Sequence, residues 1–290
     1  MKRFMKNFLK KDLAFILVYL GARAAQLSIY QSGIRSFNMT LDDMNRIDND
    51  GFVFVYLFLN LLPLAVILLF NRLHWKDSHA LGLTKKYWGR NLISGFLMGL
   101  IVVFLYNGIT LGLLANILMG VSNTFYPPYI LVYLIGFLIQ VFHGELLMRG
   151  FVFHRLQEWI KHPYAIELSV GLAALFSVLV HITTYPFSLL TIVNTFLWGI
   201  FLCLLVLDSK DIWLAAGFHF GWNYIQSVFF SHIINGIHTN TTFLHIAVNK
   251  DYPLLTGGAY GPLASLITTL ILLLLTTLYI FKIDRTKKQS

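Results

Sequence analysis

Apolar residues in this chain run in long blocks. They neither alternate as in a half-buried strand nor recur every third or fourth position. Eight blocks stand out: Leu13–Ser32, Phe52–Phe70, Leu92–Leu118, Tyr129–Met148, Ala165–His181, Phe187–Leu207, Ile212–Phe230 and Pro262–Phe281. Most approach the ~20 apolar residues that cross a bilayer core. Backbone groups find no partners in lipid, and the blocks are too long for barrel strands, so the pattern predicts transmembrane helices. The predicted fold class is all-α: a polytopic membrane protein, an eight-transmembrane-helix bundle. No internal repeat or low-complexity stretch divides the chain, so residues 1–290 read as a single integral membrane domain.

Charge sharpens this picture. Only 12% of residues are charged, against roughly 25% in soluble domains, which excludes a soluble globular enzyme. Eighteen of the 22 lysines and arginines fall on one side of an eight-span scheme. They lie in the N-terminal segment, the second-to-third and fourth-to-fifth connections, the sixth-to-seventh turn and the tail. Arg35, Arg46 and Lys250 fall on the other side, and Arg23 lies inside the first span. The positive-inside rule then puts both termini in the cytoplasm. The split explains the net charge of +9 without nucleic acid, and a basic rim fits anionic lipid headgroups. The Lys-rich start resembles a signal peptide, but Arg23 and the even span count favour a retained first helix. Two polar outer stretches, Gly33–Gly51 with Asp42, Asp43, Asp48 and Asp50, and Ser231–Gly261, read as loops. A single cysteine, Cys203, excludes an internal disulfide framework and reads as a buried hydrophobe.

Ionisable residues inside spans cost at least ~2.5–3.5 kcal/mol and mark candidate function. Glu145 stands in the apolar stretch Val141–Gly150, four residues before Arg149, so the pair shares a helix face. His181 closes the fifth span. His219 and Asn223 are four apart in the seventh. Each alone reads equally as a structural ion pair, an interfacial histidine or an interhelical hydrogen-bond pair. Together they form a plausible site. A carboxylate with imidazoles deprotonates a water for attack on a carbonyl, while Asn, Arg or the second His stabilises the oxyanion.

Gly144-Glu145-Leu146-Leu147-Met148-Arg149, then Ser177-Val178-Leu179-Val180-His181, then His219-Phe220-Gly221-Trp222-Asn223 resemble, in this order, the CPBP family of intramembrane CAAX-protease and bacteriocin-processing endopeptidases. Leu81-Gly82-Leu83 and Gly257–Pro262 are weaker echoes, so the motif-bearing core spans about 81–281. The resemblance implies an eight-span intramembrane endopeptidase that cleaves a membrane-associated peptide or protein. It also implies residence in a membrane, with a bacterial plasma membrane expected. In that reading Glu145 with His181 activates water, His219 and Asn223 hold the oxyanion, and Arg149 orients Glu145. Zinc stays open, because Glu145, His181 and His219 would make a His₂Glu set with a free water position.

Two departures stand against the family pattern. Ser177 occupies the place of an aromatic, and Gly144 replaces the first glutamate of the pair. The second keeps an alternative in play: a catalytically inactive member that binds a peptide or protein, in bacteriocin immunity or regulation. A proton-coupled transporter is a further alternative, weakened by the absence of repeats. Straight helices over these blocks leave Glu145 and His181 roughly 10–20 Å apart in depth. A joint site requires that gap to close. Either span four sits higher or span five starts deeper, and Gly150–Lys161 then lies as an amphipathic cytoplasmic helix, with Phe151, Leu156 and Trp159 against the membrane and Arg155 and Glu158 facing water.

Overall fold

The computed structural model describes residues 2–36, 50–76, 81–181, 188–235 and 237–289. Arg46, Asp42, Asp43 and Asp48 lie outside the described residues. The chain begins with α1 (Lys2–Ser36), followed by α2 (Asp50–Phe58) and α3 (Leu61–Phe70), which widens into a π-helical turn at Asn71–Trp75. Next come α4 (Trp88–Gly112), β1 (Asn116–Val121) and α5 (Pro127–Glu145). The last runs on through a π-helical segment, Leu146–Phe153, into α6 (His154–Trp159). Then come α7 (Ala165–His181), α8 (Leu189–Ser209) and α9 (Trp213–Tyr224, with a π-helical turn Ile225–Phe229). The chain ends with β2 (Leu244–Val248), α10 (Pro253–Thr256) and α11 (Leu266–Gln289).

Among the described residues, six helices are long and apolar enough to cross a membrane: Lys10–Ser32, Val53–Trp75, Trp88–Gly112, Pro127–Trp159, Leu189–Ser209 and Leu266–Thr286. The chain is thus a mainly helical, polytopic membrane protein. Of the eight blocks, the two left over coincide with α7, of 17 residues, and α9, of 12 residues before its π-helical turn. The second block bends where Pro63 cannot accommodate the carbonyl four residues back. The side chain of Asn60 there donates to the carbonyls of Tyr56 (3.0 Å) and Leu57 (3.2 Å).

Three expectations are corrected. The third block does not stay helical to Leu118: α4 stops at Gly112, and Asn116–Val121 pairs antiparallel with Leu244–Val248. The all-α class still fits, with one two-stranded sheet beside the helices. The apolar run continues through β1 without a turn signal, so hydropathy alone merged strand with helix. The fourth span does not end at Met148, and Gly150–Lys161 is not a separate surface helix. Its first ten residues, 150–159, belong to one 33-residue helical run, Pro127–Trp159. Arg155, expected to face water, is buried; its Nε lies 3.5 Å from Asp12 and its guanidinium sits over Trp75. The eighth span starts at Leu266, after short 3₁₀ turns at Gly258–Tyr260 and Pro262–Ala264.

Two contacts position the site. The first is a seam of small residues between α4 and α9. A Cβ placed on Gly95 would stand 2.2 Å from the Leu214 carbonyl oxygen, and on Gly99 2.6 Å from that of Phe218. On Gly217 it would stand 2.1 Å from that of Leu92, and on Gly221 2.7 Å from that of Phe96. Two GxxxG faces thus bring two backbones into contact, as small residues do in lipid. The seam flanks His219. Gly217→Leu is expected to destabilise the detergent-solubilised protein by more than the ~1–3 kcal/mol of ordinary overpacking. Gly108→Leu, on an open face of α4, is expected to leave the melting temperature unchanged. Equal melts for the two variants would remove the seam from the argument.

The second contact is the buried Asp50 carboxylate at the start of α2. It accepts hydrogen bonds from Tyr133 Oη, Thr241 Oγ1 (2.6 Å) and the backbone amides of Asn240 (3.2 Å) and Thr241 (3.1 Å). It ties the segment that carries Asn240 and Thr241 to α5 and α2.

Candidate active site

The long helical run resolves the question of depth. Glu145 is the nineteenth of its 33 residues, at mid-depth rather than at an end. From Glu145 the helix descends roughly 21 Å to Trp159, and α7 climbs roughly 24 Å from Ala165 to His181, taking 1.5 Å per residue. The two residues return to one level.

Glu145 ends α5 and is fully enclosed. His219 Nδ1 donates to its Oε1 at 2.7 Å. Arg149, on the π-helical segment, reaches Oε1 from Nη1 at 3.4 Å, and its Nε stands 3.4 Å from Oε2. Arg149 is 4% exposed, so the ion pair is withdrawn from water along with the carboxylate. Oε2 of Glu145 and Nε and Nη2 of Arg149 have no hydrogen-bond partner among the described residues. His219 keeps 20% of its side chain accessible, and Trp198 meets its ring edge-on at 5.5 Å. His181 donates Nδ1–H to the Ser177 carbonyl at 2.8 Å, which sets the tautomer with the lone pair on Nε2.

All five residues singled out in the sequence, Glu145, Arg149, His181, His219 and Asn223, line one cavity of about 770 Å³. The Glu145–His219 contact, 74 residues apart in sequence, is direct. His181 and Asn223 share the cavity wall. Its other walls come from α1, α8 and the 3₁₀ turn before α11, through residues such as Tyr19, Trp198 and Leu263. Leu20 of α1 and Leu172, Leu175, Phe176, Leu179 and Val180 of α7 also line it, and each is 41–56% exposed. In a bilayer those side chains face acyl chains, so the mouth opens sideways into lipid. Gly144 lines the same wall, and a Cβ added there meets nothing within 4 Å.

Three contributors escaped the sequence reading. Tyr19 Oη bonds His143 Nε2 at 2.8 Å and stacks on its ring, so α1 forms part of the site. Arg23 and Gln140 line the cavity too. The only sequence signal was Arg23 itself, a charge inside a span. A zinc set is not assembled: among the described residues no three His, Cys, Asp or Glu side chains are grouped to hold a metal ion.

No curated protein and no solved structure matches the chain. A family model does, over about a third of its length. It is described as type II CAAX prenyl endopeptidase Rce1-like, and it matches residues 126–225. The segment opens at α5 and closes just after α9, so it holds all three motifs. Over residues 126–225, which contain Glu145, Arg149, His181, His219 and Asn223, the chain therefore carries an Rce1-like domain of the CPBP family.

Proposed function

We propose that the protein is an intramembrane endopeptidase that hydrolyses a peptide bond in a membrane-associated peptide or protein. The observation that carries this reading is the 2.7 Å Glu145–His219 contact inside a cavity open to lipid. The carboxylate accepts the Nδ1 proton of His219, which leaves the Nε2 lone pair to act on a water. An oriented imidazole of this kind is a general base. His219 removes the proton as the water oxygen attacks the scissile carbonyl carbon. The same proton then passes to the leaving amine as the C–N bond breaks. Asn223 stabilises the oxyanion, the Nε2 lone pair of His181 accepts the second hydrogen of the attacking water, and Arg149 holds Glu145. The sequence reading gave the base role to Glu145 with His181. The full enclosure of Glu145 and the partial exposure of His219 favour His219 as the group that reaches water.

With α7 and α9 counted as spans, the chain is an eight-span bundle. Its basic loops then lie on one side, with both termini in the cytoplasm of a bacterial cell. Membrane lipids surround the lateral mouth, and the substrate enters through it.

A second reading, a non-catalytic scaffold for peptide binding, immunity or regulation, is favoured by one residue, Gly144. The purified chain, reconstituted in nanodiscs with a mixture of hydrophobic peptides, separates the two. Cleavage by the native chain, detected as new peptide ends by mass spectrometry, is expected. A silent native chain that gains cleavage on Gly144→Glu would overturn the first reading and support the second. The open space at that position makes the substitution tolerable.

A further inference from the structure

One buried hydroxyl lines the catalytic cavity without a partner. Thr195 of α8 is 2% exposed, and its Oγ1 has no hydrogen-bond partner among the described residues. A hydroxyl on a helix can donate to the carbonyl four residues back. Thr110, Ser169, Ser177 and Ser209 do so here, to Tyr106, Ala165, Ala173 and Leu205. Thr195 does not. Thr276 is the other buried hydroxyl left unpaired among the described residues, and it does not line this cavity. A buried donor left unpaired costs stability unless a ligand completes it.

Contacts between helices fix the level of Thr195. The rings of Phe201 on α8 and Phe218 on α9 meet at 5.0 Å, and Trp198 meets His219 at 5.5 Å and Trp222 at 5.3 Å. Numbers fall along α8 as they rise along α9, so the two helices are antiparallel. One turn past Trp198 stands Thr195, ~4.5 Å along the axis, and one turn past His219 stands Asn223, ~6 Å along it. On the other flank α7 crosses α8 at Gly199, where a Cβ would stand 2.7 Å from the Ala174 Cα. As α7 rises α8 descends, so four residues on Val178 comes opposite Thr195. The His181 ring is drawn back to that level by its bond to the Ser177 carbonyl. Thr195, His181 and Asn223 thus converge from three helices on one level of the cavity, one turn beyond the Glu145–His219 pair.

We infer that Thr195 is a second oxyanion donor, beside Asn223. As water adds to the scissile carbonyl carbon, the C=O π electrons move onto the oxygen. Thr195 Oγ1–H and the side-chain amide of Asn223 donate to that oxygen where its charge develops. The electrons return to re-form the C=O bond as the C–N bond breaks. Thr195 takes this role only under the peptidase reading. It adds a catalytic residue outside the three motifs, on a helix that carries none of them.

The test reads binding and stability, so it does not depend on turnover. A hydrophobic hexapeptide is made with a phosphinate, a stable tetrahedral anion, in place of one central amide. A second peptide carries a methylene where the first carries the phosphinate. The affinities of both are measured on the full-length protein in nanodiscs. The native chain is expected to favour the phosphinate. Thr195→Val should lose about 10–100-fold of that preference, the worth of one hydrogen bond to a charged oxygen. Thr195→Ser keeps the hydroxyl and should retain most of it. Thr195→Val should also melt no lower than the native chain, because the free protein loses no hydrogen bond. A native preference that survives Thr195→Val would overturn Thr195 as a donor and leave the peptidase reading standing. Loss of the preference in both variants, with lowered melts, would make Thr195 a packing residue and overturn the assignment too. No preference in the native chain would overturn the oxyanion site as a whole, the peptidase reading included.

Discussion

Glu145→Gln is expected to lower peptide cleavage by roughly 10²–10⁴-fold, the range for losing a positioned general base or the group that orients it. The shape of the side chain is kept, and an amide still accepts from His219 Nδ1. It no longer balances the Arg149 charge, nor does it stabilise the imidazolium that forms when His219 takes a proton. The loss should therefore appear in kcat rather than KM, because Glu145 is fully enclosed and touches no bound peptide. Cleavage measured in nanodiscs under saturating peptide checks this. Unchanged kcat would remove Glu145 and the Glu145–His219 dyad from the chemistry.

Arg149→Met is expected to have the largest effect on stability. Removing one partner of a buried ion pair leaves an uncompensated charge and costs about 3–5 kcal/mol. Arg149 and Glu145 are 4% and 0% exposed, so water cannot replace the guanidinium. Glu145→Gln combined with Arg149→Met should recover most of that loss, since neither charge then remains. It should not recover turnover. Thermal melts of the single and double variants in one detergent give the coupling. Additive losses in the double variant would show that the pair is not energetically linked in the way its geometry requires.

The membrane class was legible in the chain because lipid leaves few choices. Runs of apolar residues become helices, and charges among them need a reason. Glu145, Arg149, His181, His219 and Asn223 were legible for that second cause, and all five line the cavity. What stayed hidden depends on helix geometry rather than composition. The π-helical segment Leu146–Phe153 carries the fourth span past Met148, and no residue in it announces the wider turn. That continuation brings Glu145 to mid-depth and removes the gap to His181. The strand β1 reads like more span because Ile117, Leu118 and Val121 are as apolar as the helix before them. The seam of Gly95 and Gly99 against Gly217 and Gly221 was visible as two GxxxG spacings, but not their pairing. Tyr19 joins His143 over 124 residues, a contact that no local pattern encodes.

The most direct measurement is the peptide content of host membranes, by mass spectrometry, from cells carrying the native chain, the Glu145→Gln chain and none. Peptides that appear only with the native chain and share a cut site are the expected result. Identical peptide sets in all three cells would contradict an intramembrane peptidase built on Glu145 and His219.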